Sequence, residues 1–367
     1  MGDTWLLCYN AQVDLYVFGE KASMQDTQRR RLTQKEIANR LGVSVATVSL
    51  ALSNSPLVAA ETRNKVLQAA KEDGYLRNRA AVSLRTGSTK IIGISFHDIV
   101  HPFFAEMLAE MERQFAESGE AIFLNNHDDD REKQARFVDS LREHGADGLI
   151  VSPALGSTDQ DFRDFASSGG AVVTIVRHIA EGCFDHVVND DFECMHIAVN
   201  HLISLGHRDI IMLGGLPGTS TADGRFAGFT AAMAKLDPTV NWRDAWYPGP
   251  AKRVEGVRLT LEAFDQAKTR PTGIVCLNDL VAFGAMAALS TMGLKAGRDV
   301  AVIGIDDSDE AAASHPALTT VSNKSSELAS EAIRLMRRRQ TAPHAPQKSV
   351  KLSPKLIIRE SCGAPVR

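Results

Sequence analysis

The chain has 367 residues, of which 44% are hydrophobic and 23% charged, and its formal net charge is −4. This length allows two or three globular units, and this composition argues against a disordered or membrane-spanning protein. No apolar run is long enough to cross a bilayer, and the N-terminal segment lacks the basic start of a secretory signal. We therefore expect a cytoplasmic protein. The five cysteines are scattered without a Cys-x-x-Cys motif, which indicates reduced thiols rather than a disulfide scaffold or a zinc site.

The small net charge conceals an uneven distribution along the chain. Residues 24–88 contain eleven Lys or Arg and five Asp or Glu, a net charge of +6, whereas residues 89–367 have a net charge of −8. A short basic segment before a large acidic body is typical of a polyanion-binding head joined to a second domain. Charge alone fits a merely solvated surface equally well.

The basic segment begins with two predicted helices joined by a tight turn. Thr33 and Glu36 have the spacing of a capping box, Gly42 supplies the turn, and Ser44 is a second N-cap. Two short helices joined in this way form a helix-turn-helix, whose second helix enters the major groove of DNA. The same spacing also occurs in ordinary helical hairpins, so the motif needs support from a second feature of the basic segment.

That feature is an arginine-flanked stretch after a third predicted helix, which runs from about Ala60 to Glu72. Residues 78–86 form a helix too short to be stable alone, with Leu84 between Arg79 and Arg85. A leucine among arginines suits insertion into the minor groove of DNA, with the arginines on phosphates. The alternative is a plain linker, which would not explain an apolar side chain in such a charged setting.

From Ile91 onward the pattern changes to short apolar strands that alternate with amphipathic helices. The predicted strands are Ile91–Phe96, Ala121–Leu124, Gly148–Val151, Val172–Ile175, Ile210–Leu213, Gly273–Leu277 and Val300–Ile305. The predicted helices between them include Phe103–Ser118, Glu132–His144, Cys194–Leu205 and Leu280–Met292. This regular alternation indicates parallel sheets with crossover helices, and two such sets indicate two lobes with a ligand cleft at the carboxyl ends of the strands.

The order of these motifs resembles the LacI/GalR family of transcriptional regulators, from residue 32 to residue 361. The segments that carry the resemblance are residues 32–52, 58–63, 79–86, 205–208, 224–229, 278–279, 304–307 and 316–320. The resemblance implies an α/β fold: a helix-turn-helix headpiece and hinge helix, then a two-lobed domain like the periplasmic binding proteins, with parallel sheets. The implied boundaries are an N-terminal extension at 1–31, expected to be disordered, a DNA-binding domain at 32–76, a hinge at 77–90 and an effector-binding and dimerisation domain at 91–361. Met24 is an alternative start to the natural chain.

The resemblance also assigns residues to DNA. It places Val45, Ala46 and Leu50 at base edges, where apolar side chains contact thymine methyl groups. Side chains implied at phosphates or in the minor groove are Thr33, Ser44, Thr47, Ser49, Leu84 and Arg85. Two departures from the family pattern, Arg77 for a proline and Val82 for an arginine, bear on the rigidity of the hinge and on a local phosphate contact.

The effector cleft is assigned in the same way. The implied lining is Phe103, Phe104, Arg177, Arg225, Trp246, Asn278, Asp279, Asp306 and Asn323. Arg and Asp side chains bind paired hydroxyls, and an aromatic face covers the apolar side of a sugar ring. Two structural alternatives stay open: Asp306 as an inter-lobe ion pair and Phe104 as a core residue. Val176 replaces an aspartate common in the family, so an acidic or phosphorylated ligand near Arg177 competes with a polyol or an amide.

These observations predict a ligand-controlled, sequence-specific transcriptional repressor of carbohydrate catabolism. We expect it to bind palindromic double-stranded DNA as a homodimer and to respond to a sugar or polyol, without membrane attachment. The sequence contains no nucleophile–base or metal motif, so we expect no catalytic residue, cofactor or metal. A sugar-binding transport receptor and an enzyme are the alternatives. The basic headpiece and the missing secretory signal argue against the receptor, and the lack of a nucleophile–base or metal motif argues against the enzyme.

Overall fold

The computed structural model of the chain describes residues 33–75, 87–179, 182–240, 242–267 and 269–365. It divides into two compact units, with the boundary between Arg79 and Ala80. The expected N-terminal extension and most of the expected hinge, including Leu84 and Arg85, lie outside the described residues. Within the described part of the chain, no helix is both long and apolar enough to cross a membrane.

The first unit contains three helices, and both predicted caps are present. The helices are α1 (Gln34–Leu41), α2 (Val45–Leu52) and α3 (Ala60–Glu72). The Glu36 amide donates to Thr33 Oγ1 and the Thr33 amide donates to Glu36 Oε2, at 3.4 and 2.7 Å, so the capping box is formed. Gly42 ends α1 in the left-handed region with φ of 65°, where L side chains are disfavoured. Ser44 then begins α2 by accepting from the Thr47 amide at 3.0 Å.

A small apolar core joins these three helices. Ile37 and Ala38 of α1 pack with Val48 and Ala51 of α2, and Val66 of α3 closes the core. The small side chains at positions 38 and 51 allow the helices to approach closely. The helix-turn-helix predicted from the caps and the apolar spacing is therefore confirmed.

The second unit contains twelve strands and nine α-helices among its described residues. The strands are β1 (Ile91–Phe96), β2 (Ala121–Asn126), β3 (Gly148–Val151), β4 (Ala171–Ile175), β5 (Asp185–Asn189), β6 (Ile210–Leu213), β7 (Trp246–Tyr247), β8 (Gly273–Cys276), β9 (Ala301–Asp306), β10 (Thr319–Ser322), β11 (Ser349–Leu352) and β12 (Lys355–Ile357). The helices are α4 (Pro102–Glu117), α5 (Arg131–Glu143), α6 (Gln160–Ser167), α7 (Asp191–Ser204), α8 (Ser220–Met233), α9 (Arg253–Gln266), α10 (Asp279–Thr291), α11 (Asp309–Ala313) and α12 (Ser325–Thr341). Short 3₁₀ segments lie at Trp242–Ala245 and Glu360–Cys362.

Two six-stranded sheets divide this unit into two lobes. The first lobe has the order β11-β5-β4-β3-β1-β2, with every pairing parallel. The second has the order β12-β10-β9-β8-β6-β7, in which only the β10–β12 pair is antiparallel. The chain passes between the lobes three times: from β5 to α7, from β10 to α12 and from β11 to β12. Because each crossing is a single short segment, the lobes can rotate about them as a hinge.

The predicted fold class is confirmed, and all seven predicted strands are present within one or two residues of their predicted ends. Four further strands were not predicted as separate elements: β5, β7, β10 and β11. β11 has alternating exposure and carries Lys351, so it resembles a solvated loop in sequence. It becomes a strand by pairing with β5, which is about 160 residues earlier in the chain.

The second lobe depends on a close approach of α9 and α10. A Cβ atom at Gly284 would lie 2.1 Å from the Arg253 carbonyl oxygen, and one at Gly256 would lie 2.2 Å from the Val281 carbonyl oxygen. We expect Gly284→Ala to lower the free energy of unfolding by about 1–3 kcal/mol or more, because backbone atoms must separate to admit one methyl group. Urea unfolding measures this effect. Ala287→Ser, which adds one atom at an exposed position of the same helix, is the control, and equal midpoints for the two variants would contradict the close packing.

Candidate ligand cleft and nucleic-acid interface

A cavity of about 240 Å³ lies between the two lobes of the second unit. Loops that follow the carboxyl ends of strands in both sheets form its walls, as the topology predicts. Seven of the nine predicted effector residues line it: Phe103, Phe104, Arg177, Arg225, Asn278, Asp306 and Asn323. The structure therefore brings together side chains that are more than 200 residues apart in sequence.

Several polar lining residues were missed by the sequence analysis. They are His97, Asp98, His101, Asp128, Asp129, Thr219, Thr221 and Lys252. Most of them follow a strand directly or precede a helix, and this position was the available signal for the cleft. His101 Nε2 lies 2.7 Å from Asn278 Nδ2 and 3.6 Å from Asp306 Oδ2, so it joins the first lobe to the second.

Trp246 and Asp279 lie outside the cavity lining. The indole N–H of Trp246 donates to the Gly214 carbonyl oxygen at 2.7 Å, and its ring stacks on Phe226 with centroids 4.5 Å apart. Both carboxylate oxygens of Asp279 are also occupied, since Oδ1 accepts from Thr320 at 2.6 Å and Oδ2 accepts from Ser308. Each side chain already satisfies its polar atoms within the second lobe, so the structure gives both a structural role in that lobe.

Arg225 is the buried cation of the second lobe. Its Nε donates to Asp191 Oδ1 at 2.9 Å, and its Nη1 donates to the Leu277 carbonyl oxygen. Burial raises the pKa of Asp191 to about 6, against the opposing effect of the Arg225 charge. The described residues provide no hydrogen-bond partner for Arg225 Nη2, and Arg225 lines the cavity. One guanidinium donor thus stays available to a ligand.

Asp306 supplies the matching acceptor. Its Oδ1 accepts from Asn323 Nδ2 at 2.8 Å, while its Oδ2 makes only the long approach to His101. The sequence analysis left open an inter-lobe ion pair for Asp306. Among the described residues the only such approach is that of His101 Nε2 to Asp306 Oδ2, and at 3.6 Å it is longer than a hydrogen bond. Burial raises the pKa of Asp306 to about 7, and burial together with the charge of Asp306 raises the pKa of Asp279 to about 7.

Arg177 is compensated within the first lobe. Its guanidinium binds Asp129 through two parallel hydrogen bonds, of which Nη2–Oδ2 measures 3.1 Å, and it also donates to the Pro153 carbonyl oxygen. Such a bidentate pair satisfies the charge of both partners. Phe104, the other residue with a structural alternative, is buried and packs on Phe96 with centroids 5.0 Å apart while still reaching the cavity. Phe104 is therefore a core residue whose ring also lines the cavity.

The raised aspartate pKa values predict that the stability contributed by Asp279 and Asp306 falls as the pH rises through 7. Unfolded aspartate ionises near pH 3.9, whereas Asp279 and Asp306 ionise near 7, so between these values the folded protein holds more protons. Stability then falls by up to about 1.4 kcal/mol per pH unit for each extra bound proton. Burial lowers the pKa of His101 to about 4. It also lowers the pKa values of five other histidines, so all six oppose this fall as the pH rises through 6.5; the five are His97, His127, His178, His201 and His207.

Urea unfolding at pH 6.5, 7.25 and 8.0, followed by tryptophan fluorescence, measures this dependence. We expect wild type to lose stability relative to Asp306→Asn across the series, because the opposing histidines are the same in both proteins. Asp306→Asn should lose less, because the amide cannot ionise and the charge that raises the pKa of Asp279 is absent. Parallel curves for the two proteins would show that these carboxyl groups do not titrate in this range.

In the first unit, α2 presents an apolar surface to solvent. Val45 is 45% exposed and Leu50 37% exposed, and Ala46 is exposed between them. Exposed apolar side chains on a helix whose other face is packed in a core indicate a contact surface. Thr47 and Ser49 are half-buried beside it, and α2 carries no charged or amide side chain.

The hydroxyl groups at the ends of this surface have local roles already. Ser44 Oγ lies 2.8 Å from Thr47 Oγ1, and Thr33 Oγ1 lies 2.9 Å from Glu36 Oε2. Thr33 and Ser44 are exposed, so a phosphate oxygen can still reach their hydroxyl groups. Leu84 and Arg85, predicted for the minor groove, lie outside the described residues.

Comparison with known proteins supports both parts of this description. Residues 33–78 match the family described as bacterial regulatory proteins, lacI family, and residues 199–362 match a periplasmic binding protein-like domain. The HTH-type transcriptional repressor PurR of Erwinia tasmaniensis is 33% identical over 336 residues, which cover 90% of this chain and 96% of that protein. PurR of Haemophilus influenzae is 30% identical over 333 residues, with coverage of 90% and 98%.

Solved structures share the fold. The lac repressor dimer bound to operator and the anti-inducer ONPF has a TM-score of 0.79 and 23% identity, covering 91% of this chain and 100% of that one. A LacI family transcriptional regulator from Enterococcus faecium with bound ribose has a TM-score of 0.67 and 27% identity, covering 76% of this chain and 100% of that one.

Proposed function

Because this chain belongs to the LacI family of bacterial transcriptional regulators, we propose that it binds palindromic operator DNA as a homodimer. We also propose that a small neutral ligand, bound in the cleft, changes the affinity of the protein for that DNA. It is a transcriptional repressor of this family, and its relatives are regulators rather than enzymes. The ligand we propose is a sugar or polyol, and the regulated process is carbohydrate catabolism.

The observation that carries the ligand proposal is the pairing of one free donor with one free acceptor in the cavity. Arg225 Nη2 and Asp306 Oδ2 both lack a close partner among the described residues. A ligand with neighbouring hydroxyl groups can accept from the first and donate to the second. Phe103 and Phe104 add apolar surface for the carbon face of a sugar ring.

The charges of the cavity support a neutral ligand over an acidic one. Arg177 is neutralised by Asp129, and Arg225 is neutralised by Asp191. Lys252 is exposed at the rim, where it lies near Asp128 and is screened by solvent. A phosphate group would therefore have to displace an existing ion pair, which a hydroxyl group does not require. The Enterococcus faecium regulator, whose structure contains bound ribose, is a relative with a ligand of the proposed class.

A thermal-shift screen of the full-length chain tests the ligand. The panel contains neutral pentoses and hexoses, polyols, the corresponding sugar phosphates and purine bases, since Phe103 and Phe104 could also stack a planar ring. A bound ligand at 100 times its Kd stabilises the folded state by about 2.7 kcal/mol. We expect stabilisation by a neutral sugar or polyol. Stabilisation only by phosphates or by purine bases would exclude the proposed class and leave cleft binding intact.

For DNA, we propose that Val45, Ala46 and Leu50 contact base edges, while Thr33, Ser44, Thr47 and Ser49 contact phosphates. The exposed apolar surface of α2 supports the first set. Two copies of this head suit a palindrome, because each half-site meets one recognition helix. Leu84 and Arg85 stay predictions for the minor groove.

Selection from a random-sequence duplex library with the full-length protein tests this proposal. We expect a palindromic site whose affinity falls steeply with salt, because phosphate contacts release counterions. In the selected site, uracil in place of a contacted thymine should weaken binding about fourfold, since burying one methyl group contributes about 0.8 kcal/mol. Uracil at thymines outside the half-sites is the control. If no uracil substitution in the half-sites lowered the affinity, base recognition by apolar side chains would be excluded. If no site were selected from the library, specific DNA binding would be excluded.

A further inference from the structure

The turn after β4 contains a strained residue at the cavity wall. Val176 has φ of +65°, and the Arg177 amide donates to the Ile175 carbonyl oxygen at 2.6 Å across it. A hydrogen bond that spans a single residue of positive φ defines the classic γ-turn. This form of the γ-turn is rare and strained. For a β-branched residue this conformation is an outlier, since only Gly, Asn and Asp adopt positive φ readily.

Two hydrogen bonds from the opposite lobe hold this turn. Thr221 Oγ1 donates to the Val176 carbonyl oxygen at 3.3 Å, and the His178 amide donates to Ser220 Oγ at 3.0 Å. Ser220 and Thr221 open α8 in the second lobe, whereas residues 176–178 leave β4 in the first. The bonds therefore exist only while the lobes are closed, and both meet the turn on its loop side.

The turn also sets two side chains of the cavity. Val176 and Arg177 both line it, and the turn reverses the chain so that Arg177 can reach Asp129. On the other side of Val176, its amide still donates to the Val187 carbonyl oxygen of β5 at 3.0 Å. The backbone is thus fixed on the strand side and depends on the second lobe on the loop side.

We propose that Ser220 and Thr221 are positioning residues for the ligand cleft, which clamp the strained turn at Val176 across the closed lobes. The clamp offsets the strain of the turn, so closure and turn geometry are linked: opening removes both hydrogen bonds and lets Val176 relax. The closed cleft is consequently poised to open, and a ligand that contacts both lobes shifts the balance. This inference rests on the proposed ligand cleft, but its test needs no ligand.

Hydrogen exchange of the ligand-free, full-length protein, measured by mass spectrometry, tests the clamp. We compare peptides that cover residues 174–179, at the clamp, with peptides that cover residues 97–104, across the cavity. The second segment touches neither hydroxyl, but it makes the His101 contacts with the second lobe. Ser220→Ala should speed exchange of both segments about fivefold, which is the effect expected for the loss of one hydrogen bond from the closed state.

Matched variants separate the clamp from a local effect. Thr230→Ala removes another hydroxyl of α8, which donates within that helix to the Phe226 carbonyl oxygen at 3.1 Å. This variant should leave the exchange rate of residues 97–104 unchanged. Ser220→Thr keeps the hydroxyl and should restore slow exchange. Val176→Asn accepts the positive φ more easily, so Ser220→Ala should have a smaller effect in that background than in wild type.

The outcomes are decisive in both directions. Faster exchange at both segments in Ser220→Ala, with rescue by Ser220→Thr, supports the clamp. Faster exchange confined to residues 174–179, or unchanged exchange in both segments, overturns it. An unfolded Ser220→Ala would exchange everywhere, and the Val176→Asn single variant then decides: it should slow exchange at residues 97–104, and faster exchange there also overturns the proposal. A failed ligand screen would leave each of these results interpretable.

Discussion

Arg225→Met is expected to unfold more easily and to lose the ligand response entirely. The variant leaves the Asp191 carboxylate buried without its cation, and removing one partner of a buried ion pair destabilises a protein by about 3–5 kcal/mol. It also removes the Nη2 donor that we propose for a ligand hydroxyl. Urea unfolding measures the first effect. The second is measured by thermal shift with whichever compound of the panel stabilises wild type.

A double variant separates these two effects. Arg225→Met with Asp191→Leu removes both charges and replaces them with apolar side chains of similar volume, a change that is often neutral or stabilising. We expect the double variant to recover most of the unfolding free energy and none of the ligand response. If the double variant responded to the ligand as wild type does, Arg225 would be a structural cation and the proposed donor would be wrong. If it stayed as unstable as the single variant, the main role of Arg225 would be its bond to the Leu277 carbonyl oxygen.

The helix-turn-helix could be predicted from sequence because its signals are local. Thr33 and Glu36 are three residues apart, Gly42 ends the helix they begin, and Ser44 begins the next. Each signal acts through a backbone hydrogen bond within a few residues, and the structure forms every one of them. The alternation of strands and helices is equally local, so the parallel sheets and the position of the cleft followed from it.

The details of the cleft were harder to predict because they depend on side-chain partners far apart in sequence. Trp246 and Asp279 have the residue types of a sugar site, but Gly214, Thr320 and Ser308 satisfy their polar atoms first. Spacing along the chain does not reveal such competition. The same limit applies to Arg177, whose partner Asp129 is 48 residues away.

Val176 illustrates a second limit. In sequence it is an apolar, β-branched residue directly after a predicted strand that ends at Ile175, and such a residue is not expected at positive φ. The structure instead places it at positive φ, in a turn held by hydroxyl groups of the other lobe. Strain of this kind is stable only when the surrounding structure imposes it, so it leaves no local signal.

Ala46→Glu should abolish specific DNA binding without harming the fold. Ala46 is exposed and is the second residue of α2, where a negative charge stabilises a helix by about 0.3–1 kcal/mol. The thermal midpoint of the head should therefore stay the same or rise slightly. On DNA, the carboxylate would face methyl groups and base acceptors in place of an apolar contact. Burying one methyl group contributes about 0.8 kcal/mol, and a dimer loses two such contacts, so affinity should fall at least about 15-fold even before the cost of desolvating the carboxylates is added.

The control for this prediction is Leu67→Glu, which makes the same change in charge on α3 of the same head at a position that is 44% exposed. Because long-range attraction to phosphates depends on net charge, both variants should lose the same modest amount of non-specific binding. Only Ala46→Glu should lose the selected site, which gel-shift titration at one salt concentration measures directly. Equal losses in the two variants would mean that charge, rather than contact by α2, explains the effect. In that case the exposed surface of Val45, Ala46 and Leu50 would not be the part of the head that distinguishes one sequence from another.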